Sequence, residues 1–249
     1  MQIGLIGAGK VGFSLGKFFV QGGIPVTGYY SRQRESAVEA ANFTNTKAFD
    51  ELHSFVKQCD VLFLTVPDGK ITEVYQQLLP CDLNGKWICH CSGAISSQDA
   101  FPGIGETGAC GFSVHPLFPV SSKYEAYKEL ADAFFCLEGD PAHLDEISQL
   151  MRGLGCRVQQ IAPEVKVRYH AACVFASNLM CALAQESIEL LEGCGFSRQG
   201  AQEALACTGP TTDAQQSLPS VSGGSCTGPD RSSRALRCID GVQASGVFL

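Results

Sequence analysis

The chain lacks an excess of basic residues, an evident export signal and any C-x-x-C pair of cysteines. Its 249 residues hold 18 Lys and Arg against 25 Asp and Glu, which gives a net charge of -7. Because neutralising a nucleic-acid backbone requires surplus Lys and Arg, this balance argues against nucleic acid as a partner. Charged residues make up 17% of the chain and hydrophobic residues 45%, so there is ample material for a buried core.

Neither a secretory signal nor a membrane span is evident in the sequence. Met1 leads directly into a β-rich run, without the charged segment and apolar core of a signal peptide. The most apolar long stretch, residues 170–184, contains His170, Ser177 and Asn178. It is too short and too polar for a membrane span and favours a buried helix. We therefore expect a cytoplasmic protein with no membrane partner.

The thirteen cysteines are scattered, odd in number and without a C-x-x-C pair. In the absence of an export signal, this predicts reduced thiols that act as small core residues. The run Cys89-His90-Cys91 suggests zinc, but alternation along a strand sends the two cysteines to one face and His90 to the other. No second ligand pair is evident, and we expect no metal site.

Short β-rich runs alternate with helical patterns through the first two thirds of the chain, as in a parallel α/β sheet. From Pro163 the pattern predicts one long helix to residue 192, followed by a helix that Ser197 caps and that ends near residue 205. The sequence thus predicts an α/β protein with an N-terminal Rossmann parallel sheet and a smaller all-α C-terminal domain. The predicted domains are residues 1–161 and 162–249, with an irregular or atypical tail from about 206.

A glycine-rich loop, Gly7-Ala8-Gly9-Lys10-Val11-Gly12, has the pattern G-x-G-x-x-G between the first strand and the first helix. In such a loop Gly7 permits a tight turn, Gly9 lets a pyrophosphate approach the backbone, and Gly12 allows close packing of helix on strand. The helix N-terminus offers free N–H groups to the phosphates. An ordinary glycine-rich turn is the alternative, but the context favours dinucleotide binding.

The end of the second strand indicates which dinucleotide is bound. Sites that prefer NAD usually place a carboxylate there to hold the ribose 2′-hydroxyl. Here the strand ends Tyr29-Tyr30-Ser31-Arg32, with Arg34 close by and no carboxylate at the tip. A hydroxyl and a guanidinium are suited to hydrogen-bond the 2′-phosphate of NADP. The presence of Ser31 and Arg32 therefore predicts NADP as the cofactor, with NAD less favoured. A solvated Arg32 is the alternative.

Other candidate residues follow predicted strands, where ligands sit in open parallel sheets. Val66 ends one strand and is followed by Pro67 and Asp68, Ser92 follows the next strand, and His115 follows a strand predicted over residues 108–114. Because parallel strands bring their carboxyl ends to one edge of the sheet, we expect these segments to border one crevice. His115 is the leading catalytic candidate because a histidine can exchange a proton with a carbonyl or hydroxyl group. A structural histidine at a strand end is the alternative, as a turn serine is for Ser92.

The predicted long helix carries polar residues within an apolar run. Lys166, His170 and Ser177 fall within a narrow arc of the helix, and Asn178 lies beside it. Because buried polar groups need partners, these residues suggest a facing cleft or interface. His170 and Asn178 are therefore substrate-site candidates, and hydrogen bonding between helices at a dimer contact is the alternative.

The chain resembles the 6-phosphogluconate dehydrogenase-like superfamily, and more closely the bacterial Rossmann-like proteins with a C-terminal domain of unknown function. The similarity covers residues 1 to about 205. The matching segments are Ile3-Gly4-Leu5-Ile6-Gly7-Ala8-Gly9, Thr65-Val66-Pro67-Asp68, His90-Cys91-Ser92-Gly93-Ala94, Ser113-Val114-His115-Pro116-Leu117, Tyr169-His170-Ala171-Ala172 and Ala176-Ser177-Asn178.

This resemblance implies an NADP-dependent oxidoreductase that moves a hydride between nicotinamide and a small carbonyl, imine or hydroxy compound. It also implies a homodimer formed through the C-terminal helices. Ser92 and His115-Pro116 are similar to segments of prephenate and arogenate dehydrogenases, in which the histidine contacts substrate. Many superfamily members carry Lys and Asn four residues apart on the long helix, whereas here Lys166 is followed by His170.

Two alternative functions stay open. The first is a non-catalytic NADP-binding sensor or interaction protein, which the departure from the Lys/Asn pair favours. The second is a prephenate-type dehydrogenase, which requires an arginine for the substrate carboxylates. Arg152, Arg157 and Arg168 are available for that role.

Overall fold

A computed structural model describes residues 1–208 of the chain. The strands are β1 (Ile3–Ile6), β2 (Val26–Tyr30), β3 (Lys47–Phe49), β4 (Val61–Leu64), β5 (Trp87–His90), β6 (Cys110–Leu117), β7 (Phe134–Gly139) and β8 (Arg157–Gln160). The helices are α1 (Lys10–Gln21), α2 (Arg34–Thr44), α3 (Leu52–Val56), α4 (Ile71–Leu78), α5 (Ser97–Ala100), α6 (Leu144–Gly153), α7 (Lys166–Val174), α8 (Met180–Gly193) and α9 (Arg198–Thr208).

The strands form one sheet in the order β3-β2-β1-β4-β5-β6-β7-β8. Neighbouring strands are parallel except β6 and β7, which pair antiparallel. The order reverses at β1, where the chain crosses over from β3 to β4. In doubly wound sheets that point creates the crevice in which ligands bind. The predicted α/β class with a Rossmann-like sheet is confirmed, and the sheet is mostly rather than wholly parallel.

Apolar side chains cover both faces of the sheet and bury it between helices. One core cluster joins β-strand residues such as Leu5 and Phe63 to Phe19 of α1 and Met151 of α6. The other cluster joins the opposite face to α3, α4 and α5. Near-continuous apolar runs, such as Val61–Leu64, are the pattern expected of parallel strands buried on both faces.

His115 lies within β6 and not beyond its end, which corrects the predicted end of the strand at residue 114. The antiparallel pairing with β7 continues through His115 opposite Cys136 to Leu117 opposite Phe134. By contrast, the pairing of β5 with β6 ends at His90 opposite Ser113. The pairing with β7 therefore carries β6 beyond the end of β5, and His115 lies past that end.

The chain divides into two compact units, the first of which is residues 1–171 and the second of which begins at Ala172. The division lies later in the chain than the boundary predicted at 161. Lys166, Tyr169 and His170 therefore belong to the same unit as the sheet.

The predicted long helix is present, but the prediction that it is buried is wrong. A π-helical turn at Phe175–Leu179 interrupts it between α7 and α8. Only 6% of its most apolar 18-residue stretch is buried, because no other part of the described chain covers most of the surface of this helix. The span Pro163–Gly193, 31 residues in all, is long and apolar enough to cross a membrane by length and composition alone.

The predicted cap at Ser197 is confirmed, since its hydroxyl oxygen accepts a hydrogen bond from the amide of Gly200 at 3.1 Å. The helix that follows extends to Thr208, beyond the predicted end near 205. The rest of the predicted irregular tail, residues 209–249, lies outside the described residues.

Candidate functional site

The glycine loop forms a tight turn at the carboxyl end of β1. Gly7 has a φ of +105°, a conformation that residues with a side chain rarely adopt. A Cβ on Gly12 would lie 2.4 Å from the carbonyl oxygen of Gly7, so only glycine permits this close approach. Thr65 fixes the turn by donating from its hydroxyl to the Gly7 carbonyl at 2.8 Å.

The mouth of this turn suits a phosphate group. Gly9 and Lys10 are exposed, and a Cβ on Gly9 would meet nothing within 4 Å. No side chain caps the N-terminus of α1, and its first turn has no acidic residue. The amide groups at this end are thus free to bind an anion, with the positive end of the helix dipole behind them. Ala8 and Val11 complete the loop.

The residues predicted to select NADP lie at the end of β2. Ser31 is half-buried and Arg32 is exposed. Arg34 is committed elsewhere, since its guanidinium forms a two-pronged ion pair with Asp50, with Nη2 to Oδ2 at 3.1 Å. Arg32 has no ion pair within the described part of the chain. Of the two arginines, Arg32 is therefore the one available to a 2′-phosphate.

The segments after β4 and β5 meet at the same edge of the sheet. Val66 lies beside the glycine turn, and Pro67 is exposed next to it. Ser92 is buried and donates from its hydroxyl to Asp68 Oδ2 at 2.7 Å. The hydroxyl oxygen of Ser92 in turn accepts hydrogen bonds from the amides of Ala94 and Ile95. Ser92 thus holds its own turn together and ties it to Asp68.

His115 lies beside this turn and against the first turns of α7. The closest ring atoms are 2.8 Å from the point where a Cβ on Gly93 would lie, so a side chain there would collide with the imidazole. On its other side, Nδ1 of His115 is 2.7 Å from the hydroxyl of Tyr169. In the tautomer that accepts this hydrogen bond, the Nε2–H is left as a donor. Sequence reasoning assigned no role to Tyr169.

His115 is held in its neutral form. Burial lowers its pKa to about 4, and the nearby positive charge of Lys166 and the His170 ring contribute to the same shift. A neutral imidazole donates a hydrogen bond without carrying charge into the site. The surroundings therefore fit His115 for orienting and polarising a substrate oxygen near neutral pH.

A buried polar network connects α7 to the sheet beneath His115. Lys166 is 1% exposed, and its ammonium donates to the hydroxyl of Ser113 at 2.5 Å and lies 3.8 Å from Glu138 Oε1. The fully buried Glu138 carboxylate also accepts from the amide and hydroxyl of Ser97, at 2.8 and 2.7 Å. Because a buried charge needs a partner, this network fixes the start of α7. Lys166 also lies 5.6 Å from the ring centroid of Tyr169.

Two further histidines near the site have unpaired ring atoms within the described structure. His90 is fully buried, and its Nδ1 accepts the amide of Ser92 at 3.1 Å while Nε2 has no hydrogen-bond partner. Nδ1 of His170 is likewise buried without a partner. As predicted from strand alternation, Cys89 packs in one core cluster while the His90 ring lies against Phe101 of the other.

The buried neutral histidines predict a loss of stability in acid. Burial, followed by the charge of Lys166, lowers the pKa of His90 to about 3, from an ordinary value of 6.5. Below pH 6.5 His90 binds a proton in the unfolded chain but stays unprotonated in the folded chain. The free energy of unfolding therefore falls as the pH drops. At pH 5 this costs about 2 kcal/mol for such a group.

We therefore expect the drop in unfolding free energy between pH 8 and pH 5 to be about 2 kcal/mol smaller in His90→Asn than in the unmodified protein. Urea unfolding at the two pH values measures this difference. Asparagine is chosen because its side-chain oxygen can still accept the hydrogen bond from the Ser92 amide. His53 is exposed, so His53→Asn serves as the matched control. An unchanged pH dependence in His90→Asn would contradict the assignment.

Ser177 and Asn178 fall in the second unit, within the π-helical turn. Both are exposed, and the Ser177 hydroxyl lies 2.7 Å from the Cys173 carbonyl oxygen and 3.0 Å from Asn178 Oδ1. By contrast, Lys166 and His170 belong to the first unit. A substrate role for Asn178 stays a prediction.

The parallel sheet, its switch point and the glycine turn define a protein of the Rossmann-like α/β class. A family model described as a Rossmann-like domain matches residues 1–116. A second, described as a domain of unknown function (DUF2520), matches residues 133–229. The chain therefore joins a Rossmann-like domain to a DUF2520 domain and has the 6-phosphogluconate dehydrogenase-like fold that the sequence resemblance implied. Among curated proteins no sequence matches the chain.

Solved structures show the same fold. Protein TM1727 from Thermotoga maritima is 28% identical with a TM-score of 0.62, over 78% of this chain and 71% of its own. The imine reductase from Myxococcus stipitatus, in complex with NADP+, is 19% identical with a TM-score of 0.65, over 86% and 73%. The 3-hydroxyisobutyrate dehydrogenase from Mycobacterium tuberculosis is 18% identical with a TM-score of 0.64, over 100% and 88%.

Proposed function

We propose that this protein is an NADP-dependent oxidoreductase acting on a small carbonyl, imine or hydroxy compound. The observation that carries the proposal is the open glycine turn at the switch point of the sheet, with free helix amides before it and Arg32 at the end of the neighbouring strand. The imine reductase and the hydroxyisobutyrate dehydrogenase with the same fold support this class of reaction.

The residues of the chain fit the parts of NADP. The amides around Gly9 would hold the diphosphate, and Ser31 and Arg32 would hold the 2′-phosphate. Val66 and Pro67 would border the ribose and nicotinamide side of the crevice. Bound NADP would supply or accept the hydride.

His115 is proposed to position the substrate and to carry the proton. Its Nε2–H would donate to the oxygen or nitrogen of the group that is reduced, while Tyr169 holds Nδ1. In the direction of reduction, the substrate carbon gains the hydride and the heteroatom gains a proton, which reaches it from water through His115. Ser92 and Gly93 shape the wall beside the imidazole, and His170 offers an unpaired nitrogen at the same site.

The preference for NADP over NAD is tested by replacing Arg32 and Arg34, one at a time, with alanine. In Arg32→Ala we expect the Kd for NADPH to rise at least about tenfold, because a charge-assisted hydrogen bond contributes about 1.5–3 kcal/mol. The Kd for NADH should stay unchanged. Calorimetric titration of each nucleotide into the full-length protein measures both constants.

Arg34→Ala is the matched control, since that arginine already pairs with Asp50. It should leave the ratio of the two constants unaltered. Equal effects of the two substitutions on NADPH binding would remove Arg32 from the nucleotide site.

We also propose that the protein is a cytoplasmic homodimer joined through its C-terminal helices. The long helix exposes large apolar side chains, among them Phe175, Leu183 and Leu190, which are 64%, 68% and 72% exposed. Such an apolar surface is typical of a contact between subunits. Sedimentation equilibrium should give twice the mass of the chain in detergent-free buffer, and a monomer in that buffer would argue against the dimer.

A further inference from the structure

A cluster of three potential metal ligands lies at the edge of the sheet opposite the glycine turn. Cys110 is the first residue of β6, Asp140 directly follows β7, and His143 precedes the first turn of α6. All three side chains are partly buried, and their ligand atoms lie within 4.8 Å of one another. His115 is five residues further along β6, about 17 Å at the rise of an extended strand. The cluster is thus separate from the proposed nucleotide site.

Two of the three distances within the cluster match the edges of a tetrahedral zinc site. With Zn–S, Zn–N and Zn–O bonds of about 2.3, 2.05 and 2.0 Å, tetrahedral angles place sulfur and nitrogen about 3.6 Å apart and nitrogen and oxygen about 3.3 Å apart. Cys110 Sγ lies 3.6 Å from His143 Nδ1, and Asp140 Oδ1 lies 3.2 Å from the same nitrogen. The arrangement of these two pairs of atoms is therefore close to the one that an ion requires.

The geometry does not fit a catalytic triad built from the same three residue types. In a triad the nucleophile and the carboxylate contact opposite nitrogens of the imidazole. Here Cys110 and Asp140 both approach Nδ1 of His143. Three electron-pair donors directed at one region are the arrangement of ligands around a cation.

The surroundings hold the ligands in place. The Asp140 carboxylate accepts the amide of Ala142 at 2.9 Å, which orients it toward His143. The His143 ring lies edge-on to the buried Trp87, with ring centroids 5.8 Å apart. Fixed ligands lower the entropic cost of binding an ion.

We propose that Cys110, Asp140 and His143 form a binding site for a divalent transition-metal ion of the Zn²⁺ type, with a fourth position open to water. Thiolate, imidazole and carboxylate together suit Zn²⁺ better than Mg²⁺ or Ca²⁺. On binding, the metal–sulfur bond replaces the S–H bond of Cys110 and the proton is released to solvent. The ion would join the start of β6 to the connection between β7 and α6.

The test is a titration of the reduced, metal-free full-length protein with Co²⁺, followed by competition with Zn²⁺. We expect one equivalent of Co²⁺ to produce a thiolate-to-cobalt charge-transfer band and the intense visible bands of tetrahedral cobalt, both of which Zn²⁺ removes. Cys110→Ser should lose the charge-transfer band, and the affinity for Zn²⁺ should fall at least about tenfold in Cys110→Ser and in Asp140→Asn.

Because the chain has thirteen cysteines, an exposed one provides the control. Cys194→Ser should keep the full cobalt spectrum, since Cys194 lies outside the cluster. Circular dichroism of the metal-free variants separates loss of ligand from loss of fold, and Asp140→Asn decides the result if Cys110→Ser does not fold. A charge-transfer band that persists in Cys110→Ser, or that disappears in Cys194→Ser, would overturn the proposal.

Discussion

Gly9→Val is expected to abolish detectable NADPH binding while leaving the fold intact. The backbone of Gly9 is extended, with φ and ψ of −82° and −172°, which a residue with a side chain adopts without strain. Its Cβ would meet no atom of the protein within 4 Å. The valine would therefore occupy only the space in front of the helix amides, where the diphosphate is proposed to bind.

The size of the effect follows from the interactions that are lost. Two charge-assisted hydrogen bonds to a phosphate contribute about 3–6 kcal/mol together, so the Kd for NADPH should rise more than about 100-fold. The free energy of unfolding should change by no more than about 1 kcal/mol, the difference between glycine and an uncapped residue at a helix start. Titration calorimetry and urea unfolding measure the two quantities.

Gly105→Val is the matched control for this experiment. A Cβ on Gly105 also meets nothing within 4 Å, but the residue lies in the connection that precedes β6, at the other edge of the sheet. It should bind NADPH like the unmodified protein. If Gly9→Val also binds NADPH normally, the glycine turn is an ordinary loop and the proposed function loses its support.

His115→Ala is expected to lower turnover by about 10²- to 10⁴-fold, the usual contribution of a positioned acid or base. NADPH binding should be unchanged, because His115 lies on β6 and not in the glycine loop. Absorbance of NADPH, followed with a panel of cyclic imines, 2-keto acids and small ketones, measures the turnover of both proteins.

Two further variants sharpen the assignment. Tyr169→Phe removes the hydroxyl at His115 Nδ1 but retains the ring, so we expect a smaller loss of about tenfold from one neutral hydrogen bond. The exposed His53→Ala should have no effect. Equal rates in His115→Ala and the unmodified protein would exclude His115 from the reaction. An unmodified protein that binds NADPH but turns over none of these compounds would instead favour the non-catalytic sensor.

The sequence predicted the parts of the site that depend on local pattern. The G-x-G-x-x-G loop, the absence of a carboxylate after β2 and the polar residues after each strand are all visible within short segments. Since parallel strands bring their carboxyl ends to one edge, the prediction that Asp68, Ser92 and His115 lie close together needed only the alternation of strands and helices. The contacts of Ser92 with Asp68 and of Gly93 with His115 confirm that proximity.

Prediction from local pattern failed where a neighbouring element decides the structure, as at the end of β6 and along the long helix. The end of β6 was predicted from its own residues, but the antiparallel ladder with β7 extends it through His115. The long helix was predicted to be buried because its composition is apolar, yet burial depends on which surface covers it. Composition shows what a segment can bury and not whether a neighbour is present.

What the sequence alone determined is the Rossmann-like α/β class, the glycine turn and the edge of the sheet that carries the candidate site, because each follows from periodicity and local backbone preference. Only the tertiary structure placed Tyr169 on His115, Lys166 between Ser113 and Glu138, and His143 beside Cys110. These partners are separated by tens of residues in the chain, and contact between them depends on strand register and helix packing, which no short segment encodes.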